Sequence, residues 1–188
     1  MRSVMRVRTV TCVSFAGLLL AALGGCGTKP IDRPEAKVSD LVAVCSGRPH
    51  ATAPPYAGAP PHPILVVRPH GAVEDMLENP RLNELGPAWN PQDPATVQLV
   101  ACTESDGGGP ESGLRCQYPF GQSASLRIAD YTVTVYEART GAKVGQARIE
   151  ARNTCPLSAP VYRQEPVVYA TPSPQQYLDA LGSLVNQG

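Results

Sequence analysis

Few polar residues in this chain stand at the spacing a catalytic set needs. There are three histidines. His62 and His70 can meet in space near Glu74 or Asp75, and such a group binds a metal ion or acts as base and orienter. Hydrogen bonding in surface loops accounts for the same residues more simply. Gly121-Gln122-Ser123-Ala124-Ser125 approaches the nucleophile elbow G-x-S-x-G of hydrolases. Its last residue is Ser in place of Gly, and a strand-like pattern follows where that motif needs a helix. Gly107-Gly108-Gly109 is followed by no Lys-Ser/Thr pair and opens no helix, so it is not a phosphate loop. HExxH and EF-hand patterns are absent. No catalytic residue is assigned, and neither a cofactor nor a metal is expected.

Cysteine is the remaining reactive residue. The six are Cys12, Cys26, Cys45, Cys102, Cys116 and Cys155. There is no CxxC, and no His lies at ligand spacing to a Cys, which argues against zinc. The elements that carry the last four decide how they pair. Val97 to Cys102 is almost wholly apolar, as in a strand covered on both faces. Asp106-Gly107-Gly108-Gly109-Pro110 reads as a loop. Leu114, Cys116, Tyr118 and Phe120 then alternate with polar residues, as in a half-buried strand. Pairing the two strands as a hairpin sets Cys102 opposite Cys116, within disulfide reach at a non-hydrogen-bonded site. Four cysteines allow three connectivities, and the hairpin favours this one, leaving Cys45 for Cys155.

A second hairpin is the clearest pattern. Tyr131, Val133 and Val135 alternate with Thr132, Thr134 and Tyr136, and β-branched and aromatic residues favour a strand. Ala147, Ile149 and Ala151 alternate with Gln146, Arg148 and Glu150. Facing residues have a constant sum, so odd meets odd across a loop with an odd number of residues. Arg139-Thr140-Gly141 suits it, with Gly left-handed in third place. Val133 then faces Ala147, and Tyr131 faces Ile149. Leu126 and Ile128 are apolar at even positions, so the parity change predicts a bulge near Ala129-Asp130.

Lys37 to Cys45 is a short apolar run, helix or strand. Pro49 to Pro63 holds six prolines in fifteen residues and must run as extended coil over the surface. Ile64 to Val67 is a short strand. Glu74 to Leu85 is loosely helical but interrupted by Pro80. Trp89, the single tryptophan, is expected to plug the edge of the core. Val161 to Tyr169, broken by Pro166, reads as an edge strand. A helix closes the chain: Ser173 as N-cap, Pro174 in the first turn, Gln176 completing a capping box. Tyr177, Leu178, Leu181, Leu184 and Val185 form its apolar face. The expected fold is α+β, mainly β: an antiparallel sheet of about five strands with the C-terminal helix packed on it.

The N-terminus is set apart. Arg2, Arg6 and Arg8 precede an apolar run from Val10 to Leu23, too short for a confident transmembrane helix. The run ends in Leu23-Gly24-Gly25-Cys26, which resembles the lipobox of bacterial lipoproteins. In that family the signal is cut before the Cys and the sulfur is diacylated, with palmitate-like chains. The resemblance implies a signal peptide over residues 1–25, a lipidated tether over 26–36 and one disulfide-braced domain over 37–188. Two or more acyl chains, at about 0.8 kcal/mol per buried CH₂, would anchor Cys26 stably in a membrane. Three of the sixteen basic residues and none of the sixteen acidic ones leave with the signal, so net charge falls from 0 to −3. No basic stripe survives, which argues against nucleic acid as a partner. With Cys12 removed and Cys26 lipidated, Cys45, Cys102, Cys116 and Cys155 remain, an even count that implies two disulfides in an exported chain.

The rest of the chain is similar to an uncharacterised domain of exported bacterial proteins. The matching pieces occur in order: Cys45-Ser46-Gly47, Ala53, Tyr56, Pro61-His62-Pro63, the Trp89 region, Leu99 to Cys102, Cys116-Gln117-Tyr118, Glu137 to Gly141 and Cys155-Pro156. No activity is attached to that domain, and the resemblance carries no catalytic residue. The expectation is an exported lipoprotein, held at the extracytoplasmic face of a membrane. It would act as a binding or interaction module for a protein, glycan or small-molecule ligand. The alternative is a cell-envelope hydrolase whose nucleophile and base meet only in the fold. Ser123 or His62 in a concave pocket beside a base or carboxylate would favour the hydrolase.

Overall fold

The computed structural model describes residues 29–35, 37–68, 82–157 and 166–187. The lipobox with Cys26, and His70, Glu74 and Asp75, lie outside them. Five strands form one sheet: β1 (Ile64–Val67), β2 (Leu99–Gln117), β3 (Ser123–Glu137), β4 (Lys143–Ala151) and β5 (Val167–Tyr169). The order is β1-β2-β3-β4, with β5 beside the start of β3. A helix, α1 (Pro174–Asn186), ends the chain. The fold is α+β and mainly β, as expected. The sheet is mixed rather than antiparallel: β1 runs parallel to β2, and β5 parallel to β3. Each of those parallel strands is joined to the sheet by a long connection, as a crossover needs.

Apolar residues on the two faces of the sheet enter two clusters. Ile64, Val66, Leu99, Ala101, Val133, Val135 and Ile149 pack under Tyr177, Leu181 and Val185 of α1, with Trp89 at the side. Leu65, Val67, Val100 and Cys102 face the other way, against Leu41 and Val44 of a 3₁₀ segment, Val38–Ser46. Hence β1 and the start of β2 read as unbroken apolar runs: both faces are covered. Each fully buried Leu or Val adds roughly 1.5–3 kcal/mol. The α1 capping box forms as expected, with Gln176 N donating to Ser173 Oγ and Ser173 N to Gln176 Oε1.

The β3–β4 hairpin has the expected register, Val133 facing Ala147 and Tyr131 facing Ile149. Gly141 is left-handed, φ 70°. A register shift between Val135 and Tyr136 adds one residue on the β4 side.

The β2 region differs from expectation. Gly107 to Pro110 is no loop; β2 runs through it and pairs with β3 along its length. β2 has 19 residues where β3 has 15, and the excess appears as three register shifts. One shift, between Ser105 and Gly107, faces Tyr131 and Asp130. The bulge expected at Ala129-Asp130 therefore sits on the partner strand, while β3 stays in continuous register with β4 there. The even-numbered apolar residues Ala124 and Leu126 serve a third, smaller cluster with Cys116, Ala151 and Val168. The β2–β3 turn lies at residues 118–122, where Phe120 is left-handed and fully exposed instead of being in a strand.

This changes the disulfides. All four cysteines are bonded, but as Cys45–Cys102 and Cys116–Cys155. The expected Cys102–Cys116 bond is impossible because both residues belong to one extended strand, at about 3.3 Å rise per residue. Cys45–Cys102 ties the 3₁₀ segment to β2, and Cys116–Cys155 ties the far end of β2 to the chain after β4. Two disulfides fit an oxidising, extracytoplasmic compartment. No helix among the described residues is long and apolar enough to cross a membrane.

Candidate functional site

The segment expected to be a free tether is docked over residues 31–35. Ile31 forms a parallel bridge with His50. Ile31 N donates to Pro49 O at 2.9 Å, and Ala51 N donates to Ile31 O at 3.0 Å. Thr52 Oγ1 donates to Glu35 Oε1 at 3.1 Å and lies 3.3 Å from Arg33 O. On its other side, His50 N donates to Ala138 O at 3.0 Å, beside the β3–β4 turn. His50 is thus fixed between the strap and the sheet.

Its side chain is 2% exposed and Glu35's is 4%, with Nδ1 at 2.8 Å from Glu35 Oε1. The contact is out of line for a hydrogen bond, and Nε2 has no partner among the described residues. Buried polar atoms are nearly always hydrogen-bonded, and Nε2 is unpaired in the same way as Tyr118 Oη and Arg127 Nε among the described residues.

His50 lines a cavity of about 190 Å³ together with Ile31, Arg33, Asp40, Ala43 and Arg48. Local backbone geometry places the charges. Gly47 is left-handed (φ 74°) and ends the 3₁₀ segment, and Arg48 N then donates to Ala43 O. Asp40 Oδ2 accepts from Lys37 N at the start of that segment. Arg33 and Arg48 are exposed, and neither forms an ion pair among the described residues. The cavity brings two guanidinium groups and the Asp40 carboxylate around the buried His50 ring.

The residues singled out for hydrolase chemistry do not assemble. His62 is buried; its Nδ1 lies 2.7 Å from Gln98 Oε1, and its ring meets Tyr56 edge-on at 4.7 Å. That is a core histidine with a neutral partner. Ser123 Oγ accepts from Arg115 Nη2 at 2.9 Å, and Ser125 Oγ from Arg115 Nη1 at 3.2 Å. A cation, not a base, faces Ser123. Among the described residues no three His, Cys, Asp or Glu side chains gather as for a metal ion.

A further polar group lies in the core. The Tyr177 hydroxyl, fully buried, is 3.4 Å from Thr103 Oγ1. Burial raises its pKa, opposed by the Thr103 hydrogen bond and the Arg68 guanidinium. Tyr131, which donates to Ala170 O at 2.8 Å, is raised by burial too. These pairs brace α1 and the end of β5.

His50 was missed by sequence reasoning. Its one signal is position, directly after Pro49 at the head of the proline-rich coil. Its partner Glu35 lay in a stretch read as linker.

No family model, no curated protein and no solved structure matches this chain, so its function is argued from its own residues.

Proposed function

We propose that this protein is an exported lipoprotein, anchored through acyl chains on Cys26, whose disulfide-braced domain binds a small ligand in the His50 cavity. The observation that carries the reading is the cavity at His50, where a buried ring facing Glu35 lies beside Arg33 and Arg48, which form no ion pair among the described residues. The order of basic residues, apolar run and Leu23-Gly24-Gly25-Cys26 supports the anchor, and the two disulfides agree with export. Binding is favoured over hydrolysis because Ser123 faces Arg115 and His62 faces Gln98.

Native mass spectrometry of full-length protein extracted from membranes tests the reading. The expected result is a bound species of small mass that is lost when Arg33 and Arg48 are both changed to Ala. A ligand-free protein, or a ligand unaffected by those changes, would count against the cavity as the binding site.

A further inference from the structure

We infer that the far end of the sheet, around Arg115 and Phe120, is a docking surface for a protein partner that presents a carboxylate beside an apolar side chain. The surface is separate from the His50 cavity and stands whether or not that cavity is filled. Apolar exposure is concentrated here. The large hydrophobic side chains exposed among the described residues are Leu114, Phe120, Leu157, Val167 and Tyr169. They belong to the distal part of β2, the turn after it, β5, and the chain just beyond Cys155, which is bonded to Cys116. Apolar side chains gathered in this way and rimmed by polar groups mark an interaction site.

Phe120 is fully exposed at the apex of the β2–β3 turn, with a left-handed backbone, φ 63°. That conformation is costly for a bulky residue. Tyr118 N donates to Gln122 O at 2.8 Å and closes the turn that holds it there. The fold thus fixes an aromatic ring in the open.

The register sets Arg115, Ser125 and Val167 in one row across β2, β3 and β5, and Glu111, Arg127 and Tyr169 in the next. Directly opposed residues share a face of the sheet. The Ser125 and Ser123 hydroxyls accept from the two terminal nitrogens of Arg115, so its exposed guanidinium is held in place. Each serine keeps its own O–H to donate. Arg127 stands opposite Glu111, which leaves Arg115 as the charge without an opposing acid; it forms no ion pair among the described residues. A fixed guanidinium fork flanked by hydroxyl donors matches a carboxylate. Val167 and Tyr169 beside it call for an apolar neighbour. Arginine and aromatic residues are those in which the binding energy of protein interfaces concentrates.

Position and charge separate this end from a membrane. The strap is docked at the other end of the sheet, where His50 N meets Ala138 O just beyond β3. The 15 residues of β3 span roughly 45–50 Å at about 3.3 Å each. An anchor on Cys26 draws the strap end to the bilayer, and a chain of net charge −3 gains nothing by lying along anionic lipid.

The test places photoreactive p-benzoylphenylalanine at position 120 of the full-length protein in its own host cells, with the same group at position 139, in the β3–β4 turn, as the control. Irradiated adducts are digested and identified by mass. The expected result is one partner protein, captured from position 120 and not from 139, through a peptide that contains Asp or Glu. Arg115→Ala in the same protein should lower the yield about tenfold with an unchanged thermal midpoint. Arg115→Lys, which keeps the charge and loses the fork, should lower it less. An adduct with acyl chains would overturn the inference in favour of the bilayer, and an adduct with this chain's own peptides in favour of a second copy. No adduct, the same partner captured from position 139, or a yield unchanged by Arg115→Ala would each overturn it outright.

Discussion

The His50 imidazole lies 2.8 Å from the Glu35 carboxylate, across nothing but the docked strap. Both side chains are almost wholly buried. Removing the acid takes away the one ion-pair-range contact that the His50 ring has among the described residues. Glu35→Ala should cost about 1–3 kcal/mol, the penalty for stranding a buried polar group. Urea unfolding measures it. An unchanged midpoint would mean that the strap is not docked in solution.

The disulfides give a sharper prediction. Peptide mapping without reduction should yield Cys45 joined to Cys102 and Cys116 joined to Cys155. The sequence separations are 57 and 39 residues. Replacing Cys45 and Cys102 with Ala should cost about 4 kcal/mol in the chain-entropy model. A peptide joining Cys102 to Cys116 would contradict the β2 assignment itself.

Where sequence reasoning succeeded, the signal was local. Tyr131 to Val135 and Ala147 to Ala151 alternate cleanly, and their register is the one the alternation gives, although next to the Gly141 turn Tyr136 faces Lys143 and one extra β4 residue restores the odd-to-odd pairing. Ser173, Pro174 and Gln176 announce a helix start by their own hydrogen bonds. It failed where distant contacts override local preference. Gly107-Gly108-Gly109-Pro110 has poor strand propensity, yet β3 supplies a full partner strand and the excess residues are absorbed as bulges. The cysteine partners followed that error, since a loop there would fold Cys102 back onto Cys116. The strap is the same case: Ile31 and Glu35 look like linker until His50, Ala51 and Thr52 are brought beside them.

Gly141 has a positive φ of 70°, and a Cβ there would lie 3.3 Å from Pro49 Cβ. Gly141→Val therefore meets both a disfavoured backbone and a crowded neighbour. A loss of at least about 1 kcal/mol is expected, read as a lower thermal midpoint. Because Pro49 O also holds Ile31 N, the strap should loosen as well. A midpoint at or above that of the unsubstituted protein would contradict the turn geometry.

Alkaline stability tests the core hydroxyls. Tyr177 and Tyr131 have pKa values raised by burial above the ordinary 10.0. In the unfolded chain they ionise first. The folded state then holds more protons, and stability falls as pH rises. Their contribution is intact below the unfolded pKa and is lost as pH climbs through the folded value. Stability should decline above about pH 10, and Tyr177→Phe should flatten the decline. A profile identical for both proteins would remove Tyr177 from the account.

The central claim is that Cys26 carries the lipid that holds this domain at a membrane. Partition of the protein made in bacterial cells between the two layers of a phase-separating detergent tests it most directly, with the intact mass of each fraction. The account predicts a detergent-phase protein that begins at Cys26, with a mass raised by acyl chains, and an aqueous-phase Cys26→Ser variant. A native protein found in the aqueous layer, or one cut elsewhere and bearing no acyl mass, would contradict it.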